Sequence, residues 1–299
     1  MFEIFKSLYR NLLKILPTKI AIYLIYFRGY KKILNLKNPR YYGEKIQWLK
    51  LYGELENLSK YVDKYEVRNY IKKVIGEEYL FDIYGVFEKV EDIDFSLLPE
   101  KFVLKCTNGS QAILICKDKK NFNIEKARKI MQEWLKEDFY KIKKEFQYKN
   151  IKNRILIEKY MEDETGELRD YKFYCFNGKP KWYAIFSNRF TNKIIDTYDI
   201  DGNYLADCKN GGKGVKTTGR INLDLNTKNE LIELSKKLSK IFSFVRVDFY
   251  IVNNKIYFGE LTFTDGAGSD PIYPLEKYDK EFAKYIELKK VLLKEEENE

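Results

Sequence analysis

Two runs, Phe244-Val245-Arg246-Val247-Asp248-Phe249-Tyr250 and Ile256-Tyr257-Phe258-Gly259-Glu260-Leu261-Thr262-Phe263, constrain this chain more than any other stretch. Both are rich in β-branched and aromatic residues and flank Asn253-Asn254, so they read as a β-hairpin. Val245, Val247, Phe249 and Ile251 share one face of the first run, and Arg246, Asp248 and Tyr250 share the other. A buried sheet face does not ordinarily carry Arg and Asp. The side-chain period adds a condition on the pairing. A plain two-residue loop puts Asp248 and Glu260 on opposite faces, whereas an odd-length connection sets them opposite each other. We therefore expect a three-residue or bulged turn, with Arg246, Asp248, Glu260 and Thr262 on one surface. Two hard carboxylates beside a fixed cation outline a site for Mg2+ and phosphate. A surface hairpin with solvated ion pairs is the competing reading, and the rest of the chain weighs against it.

No histidine occurs among the 299 residues, which removes His bases, Ser-His triads and His metal ligands. Carboxylates, Lys and Arg must carry any chemistry. A formal net charge of +10 favours anionic partners without choosing among nucleotides, acidic sugars, nucleic acid and a membrane surface. Hydrophobic content of 44% with 33% charged residues excludes wholesale disorder. Cys106, Cys116, Cys175 and Cys208 lack CxxC spacing and lie in or beside apolar strand patterns, as reduced structural thiols of a cytoplasmic protein do. The N-terminal residues do not read as a signal peptide, and the apolar run Ile20 to Phe27 is too short to span a bilayer.

Residues 1–34 predict amphipathic helices broken at Pro17, packed on the body of the protein, with contact to a membrane surface as the alternative. Residues 42–51 and 61–71 predict two more helices, with Asp63 a candidate cap for the second. Lys64 and Arg68 share a face of that helix and read as solvated charges. After a strand within 79–90, the apolar runs 101–106 and 112–116 flank Thr107-Asn108-Gly109-Ser110-Gln111. This small-residue tip, with Lys105 beside it, can cover a triphosphate, although the GxxxxGK[ST] spacing is absent. Residues 123–150 predict a helix across a sheet.

A strand ending at Glu158 leads through Lys159-Tyr160-Met161 into the acidic loop Glu162-Asp163-Glu164-Thr165-Gly166-Glu167, a hinge able to hold adenine by backbone and ribose by a carboxylate. Asn177-Gly178 marks the clearest hairpin, on which Lys172 can point at the same cleft as Lys105. The basic Gly-rich loop from Asp207 to Arg220 reads as a flexible, exposed flap. Thr264-Asp265-Gly266-Ala267-Gly268-Ser269 is a second Gly-rich turn, and Glu295 to Glu299 a frayed tail.

The ordered set of Lys105, Glu158, Lys172, Arg246-x-Asp248 and Glu260-x-Thr262 resembles the ATP-grasp superfamily. Glu44-Lys45-Ile46-Gln47-Trp48, Asp63-Lys64-Tyr65-Glu66-Val67-Arg68, Asp170-Tyr171-Lys172-Phe173 and the two runs of the first hairpin resemble its TupA-like branch, which is linked to teichuronopeptide and polysaccharide biosynthesis. The resemblance implies an α+β ATP-grasp fold. Its parts would be N-terminal amphipathic helices (1–37), a helical and small α/β subdomain (38–98), a lid subdomain (99–160) and a C-terminal antiparallel sheet with the metal and phosphate site (161–299).

It further implies that Lys105 and Lys172 hold ATP phosphates beneath Asn108, Gly109 and Ser110, and that Glu158 with the Lys159, Tyr160 and Met161 backbone holds adenine. Glu164 or Glu167 would take the ribose. Asp248 and Glu260, with Thr262, would ligate Mg2+, while Arg246 and Lys172 would act on the transferred phosphoryl group. Asn108 stands where this branch suggests His, and Thr262 where ATP-grasp enzymes commonly place Asn. The implied reaction activates a carboxylate as an acyl phosphate and passes it to an amine. Implied partners are a free or nucleotide-linked uronic acid or amino acid and an amine, with no nucleic acid, at the cytoplasmic side; peripheral contact of residues 1–34 with the inner membrane stays the alternative stated above. Phosphorylation of a sugar hydroxyl is one alternative. A non-enzymatic basic binder is another, which the hairpin carboxylates disfavour because they would repel phosphate.

Overall fold

The computed structural model describes residues 2–188, 191–219, 221 and 223–293, with side chains from residue 7 onward. Arg220 of the basic loop and the tail Glu295 to Glu299 lie outside the described residues. Strands β1 (Ile83–Phe87), β2 (Phe102–Cys106), β3 (Ile113–Cys116) and β4 (Ile155–Lys159) form an antiparallel sheet in the order β1-β4-β2-β3. Its first strand precedes residue 98, where the resemblance put a boundary. Phe102, Leu104, Ile155 and Ile157 bury one face of this sheet together with Ala127 and Met131 of the helix Ile124–Lys136. Asn123 starts that helix by accepting the Lys126 N–H at 2.8 Å. Val103 pairs with Glu158 and Lys105 with Leu156, so Lys105 and Glu158 emerge together on the opposite face.

The later strands are β5 (Asp170–Phe176), β6 (Lys179–Ser187), β7 (Ile194–Asp199), β8 (Lys209–Asn210), β9 (Phe244–Val252), β10 (Lys255–Thr262) and β11 (Ile272–Tyr273). Five of them make an antiparallel sheet in the order β10-β9-β5-β6-β7, and β8 pairs with β11. The tight β5–β6 turn holds Asn177 and Gly178 at φ 47° and 74°, the left-handed pair that such a hairpin demands. Every residue of β5 is buried, because β6 and β9 flank it and the helix Leu225–Ser239 packs against it. The basic loop is largely exposed over 211–219, as expected, and is tied down at several points. Beyond the β8–β11 pairing, Asp196 accepts the N–H groups of Thr218 and Gly219 at 2.6 and 2.9 Å, and Cys208 is buried. All four cysteines are buried and free.

Helices α1 (Phe2–Ile15) and α2 (Thr18–Tyr30) break at Pro17, as expected. Leu13 of α1 packs on Ala21 and Ile25, and α2 buries Ile22, Tyr26 and Tyr30 against the body. Asp279 ties this hairpin down, accepting the Tyr30 hydroxyl and the Tyr42 N–H, each at 2.7 Å. Burial pushes the Asp279 carboxyl up to about 6. Helix α2 is apolar on all sides rather than amphipathic, which leaves Ile20, Tyr23, Leu24 and Phe27 exposed. Among the described residues no helix is long and apolar enough to cross a membrane.

Where α2 meets the 264–269 turn, a Cβ on Gly29 would stand 1.7 Å from the Ser269 carbonyl oxygen. Gly29→Ala is therefore expected to lift α2 off that turn and to cost roughly 3 kcal/mol. A lowered thermal midpoint checks this, and an unchanged one would show that the close approach is absent in solution.

Candidate active site

Strands β9 and β10 are joined by a two-residue turn, with Asn253 and Asn254 at φ 51° and 60° and Val252 paired to Lys255. The odd-length turn expected from the sequence is not there. The extra residue sits inside β10 instead, as a bulge at Gly259 between Phe258 and Glu260. Its consequence is the expected register: Glu260 faces Asp248 and Thr262 faces Arg246. A side chain does not fit at the bulge, since a Cβ on Gly259 would lie 2.9 Å from the Asp248 carbonyl oxygen.

Three oxygens converge on one nitrogen. Arg246 Nη2 donates to Asp248 Oδ2 at 2.7 Å, to Glu260 Oε1 at 3.0 Å and to Thr262 Oγ1 at 3.0 Å. The same guanidinium donates through Nε to Asp248 Oδ1 at 2.7 Å and through Nη1 to Asp265. Asp248 is fully buried and also accepts from Lys172, whose ammonium reaches Asp170 Oδ1 at 3.0 Å. Burial raises the Asp248 carboxyl, and Arg246 and Lys172 oppose it. Burial works against the charge on Arg246 too, yet Asp248 and Asp265 hold it firmly protonated. Asp265 belongs to the Gly-rich turn and was not anticipated as a site residue. Its position just past β10 is the only hint the sequence offers.

Beside this network a cleft of about 440 Å³ runs between the two sheets, with Lys105, Glu158 and Glu260 on its walls. Lys105 is paired to Glu158 across β2 and β4. Lys64 and Arg68 line the same cleft, although the sequence reads them as solvated charges. Lys64 donates to the Gly109 carbonyl, and Arg68 Nη2 donates to Phe81 O at 3.0 Å. Burial holds Lys64 below the usual lysine range, with Glu260 pulling the other way. The single helix expected over 61–71 is broken at 63–66, so Lys64 lies in the turn and Arg68 on the helix Val67–Val74, and their four-residue spacing does not disclose what either faces.

Other expected residues are placed differently. Ser110 lines the cleft, whereas Gly109 abuts Phe139. Asn108 turns to a second cavity on the far side of the loop, donating to Asn153 Oδ1 at 2.8 Å. Its Oδ1 is buried and has no hydrogen-bond partner among the described residues. Lys172 is 4% exposed and sits behind Asp248 instead of sharing a cleft wall with Lys105.

Lys159, Tyr160, Met161, Glu164 and Glu167 are not on the cleft wall. Strand β4 ends at Lys159, whose N–H is taken by Asp82 O at 3.0 Å, and Tyr160 donates to Glu162 at 2.7 Å. Glu164 accepts from Arg169 at 2.8 Å, and the loop turns back on itself where Gly166 N–H meets Asp163 O at 3.0 Å.

Asp248, Glu260 and Thr262 offer an oxygen-only donor set, which suits Mg2+. Among the described residues there is no group of three or more Asp, Glu, His or Cys able to hold a metal ion. All three oxygens accept from Arg246 Nη2, and of the set only Glu260 lines the cleft, so a Mg2+ there would take most of its ligands from phosphate oxygens and water.

A model of the TupA-like ATP-grasp family matches residues 44–287. The chain belongs to that family. The α+β ATP-grasp fold that the resemblance implied is the fold this TupA-like protein has.

Among solved structures it is similar to D-alanine–D-alanine ligase from Bacillus anthracis complexed with ATP, at 17% identity and a TM-score of 0.39 over 69% of this chain and 55% of that one. It is also similar to D-alanine–D-alanine ligase from Helicobacter pylori, at 15% identity and a TM-score of 0.43 over 82% of this chain and 67% of that one. N5-carboxyaminoimidazole synthetase from Staphylococcus aureus complexed with ADP gives 14% identity and a TM-score of 0.42 over 68% and 44%. The chain thus spans 55% of the length of the Bacillus ligase. The assignment rests on the family match, and these looser likenesses add no chemistry. No curated protein matches the chain.

Proposed function

We propose that this TupA-like protein is a Mg-ATP-dependent ligase that joins a carboxylate to an amine through an acyl phosphate. The observation that carries the reading is the meeting of Asp248, Glu260 and Thr262 oxygens on Arg246 Nη2 at the edge of a cationic cleft. In this reading Lys105, Lys64 and Arg68 neutralise the phosphates beneath the 107–111 loop, and Lys172 fixes the Asp248 carboxylate. Toward adenine this reading keeps Glu158, which lines the cleft; the 159–161 backbone, with Glu164 or Glu167 for ribose, would serve the nucleotide only on closing over it. Bound at Asp248 and Glu260, Mg2+ would offset the charge between transferring oxygens.

The substrate carboxylate attacks the γ-phosphorus as the bond to the bridging oxygen of ADP breaks. An amine then attacks the acyl carbon, phosphate leaves with the bonding pair, and the amine proton passes to solvent. In this reading Arg246, held by Asp248, Glu260, Thr262 and Asp265, would supply positive charge toward the transferred group. A chain without histidine can run this sequence. The carboxylate is a uronic acid or amino acid of a surface polysaccharide, acted on at the cytoplasmic side.

The test is ADP release from Mg-ATP with a panel of nucleotide-linked uronic acids and amines, hydroxylamine serving to trap the acyl phosphate. Turnover that needs both a carboxylate and an amine, with a hydroxamate formed in the trap, is expected. ADP release driven by a sugar alcohol alone would replace the ligase with a kinase, and failure to bind Mg-ATP would overturn both.

A further inference from the structure

The hairpin of α1 and α2 precedes the family-matched residues 44–287 and closes a second cavity, of about 630 Å³, against the body of the protein. Ser110, Gln111 and Ala112 line both this cavity and the nucleotide cleft, so the two spaces adjoin at the loop that contains them. The far wall carries Ser269 and Asp270, the end of the turn whose Asp265 is bonded to Arg246. A ligand here therefore sits one loop away from the nucleotide and one short turn away from the Arg246 network.

The chamber draws cations from three separate elements: Arg10 of α1, Arg28 of α2 and Lys143. Arg28 lies over the Tyr9 ring at 4.6 Å, which fixes its guanidinium at the rim. Of the two carboxylates on the walls, Glu137 is already engaged by Lys14 at 2.6 Å and by Arg10 at 3.7 Å. Arg10 is thus turned to Glu137, which leaves Arg28 and Lys143 against the one remaining carboxylate, Asp270, and a ligand that brings phosphate as well as carboxylate charge answers both cations.

We propose that this chamber binds the carboxylate substrate and selects one that also carries phosphate, such as a uronic acid linked to a nucleoside diphosphate. The inference rests on the ligase reading, and the experiment separates the two. Binding is measured by titration calorimetry for Mg-ADP alone, and then for UDP-glucuronate and free glucuronate in the presence of Mg2+ and a non-hydrolysable ATP analogue. The variants are Arg28→Glu and Lys143→Ala, each checked by its thermal midpoint.

The expected result is unchanged affinity for Mg-ADP, a loss of tenfold or more for UDP-glucuronate in both variants, and free glucuronate weak throughout. Loss of UDP-glucuronate binding in neither variant would overturn the chamber. Equal affinity of the wild type for the free and the linked acid would overturn the demand for phosphate. Absence of Mg-ADP binding in the wild type would instead fail the underlying ligase reading.

A different observation carries a second proposal. Leu8, Leu12 and Ile15 of α1 are 60%, 43% and 81% exposed, and Ile20 and Phe27 of α2 are 51% and 53% exposed. Spaced at three and four residues, they stand on the outward sides of the two helices, with Lys19, Lys31 and Lys32 exposed around them. Apolar side chains bordered by lysines match the interface of an anionic bilayer, where rings and aliphatic chains enter the acyl boundary and ammonium groups meet head groups.

We infer that this surface rests on an anionic lipid bilayer. Flotation of the full chain with phosphatidylglycerol-containing vesicles, and its absence with pure phosphatidylcholine, are expected. The double variant Ile20→Glu with Phe27→Glu should abolish flotation while leaving the thermal midpoint and Mg-ADP affinity in place. Failure of the wild type to float with the anionic vesicles, or a dimer in solution that the same variant dissolves, would overturn it.

Discussion

Glu260→Gln is expected to slow ADP formation roughly a hundredfold or more while leaving unfolding close to that of the wild type. The Glu260 side chain is 45% exposed and gives Arg246 one contact among several, so its charge contributes little to the fold. Asp248→Asn should behave differently, losing activity and stability together. Asp248 is fully buried and accepts from both Arg246 and Lys172, so neutralising it leaves two interior cations short of their partner. Breaking a buried pair from one side costs roughly 3–5 kcal/mol.

A coupled ADP assay across a Mg2+ titration, with urea unfolding of each variant, measures both effects. Wild-type turnover by Glu260→Gln at moderate Mg2+ would remove that carboxylate from the metal site. A wild-type unfolding midpoint in Asp248→Asn would show that the buried network is not formed.

The two carboxylates were legible because a period of two makes a firm statement about faces. Once Asp248 and Glu260 are assigned to one surface, the ladder between them must contain an odd residue. Where that residue goes is a subtler matter. Asn tolerates the left-handed conformation, so Asn253-Asn254 closes the tight turn by itself and the extra residue moves to Gly259, where a side chain would strike the Asp248 backbone. A glycine inside an apolar strand is the sequence sign of such a bulge.

Lys64, Arg68 and Asp265 were not legible as site residues for a different reason. Each reaches the site only through packing between elements far apart in the chain, as when Lys64 meets the Gly109 carbonyl and Asp265 meets Arg246. Lys172 shows the limit in reverse. Its face in β5 was readable, but its depth was not, because Asp248 covers it.

Arg246→Lys should be nearly as damaging as Arg246→Met, with turnover reduced about a thousandfold, or ~4 kcal/mol of barrier. The guanidinium uses three nitrogens in three directions: Nε and Nη2 fork onto Asp248, Nη2 also meets Glu260 and Thr262, and Nη1 takes Asp265. A lysine ammonium keeps the charge but has one nitrogen at one position, and it cannot replace a planar fork. Arg246→Lys should therefore retain more stability than Arg246→Met, because the buried Asp248 still sees a cation, while the two variants converge in rate. The measurement is single-turnover ADP formation set beside thermal unfolding for both proteins. A lysine variant within tenfold of the wild-type rate would mean that Arg246 supplies only charge to the site, and the convergence of three oxygens on its Nη2 would then be a structural ion network without a part in phosphoryl transfer.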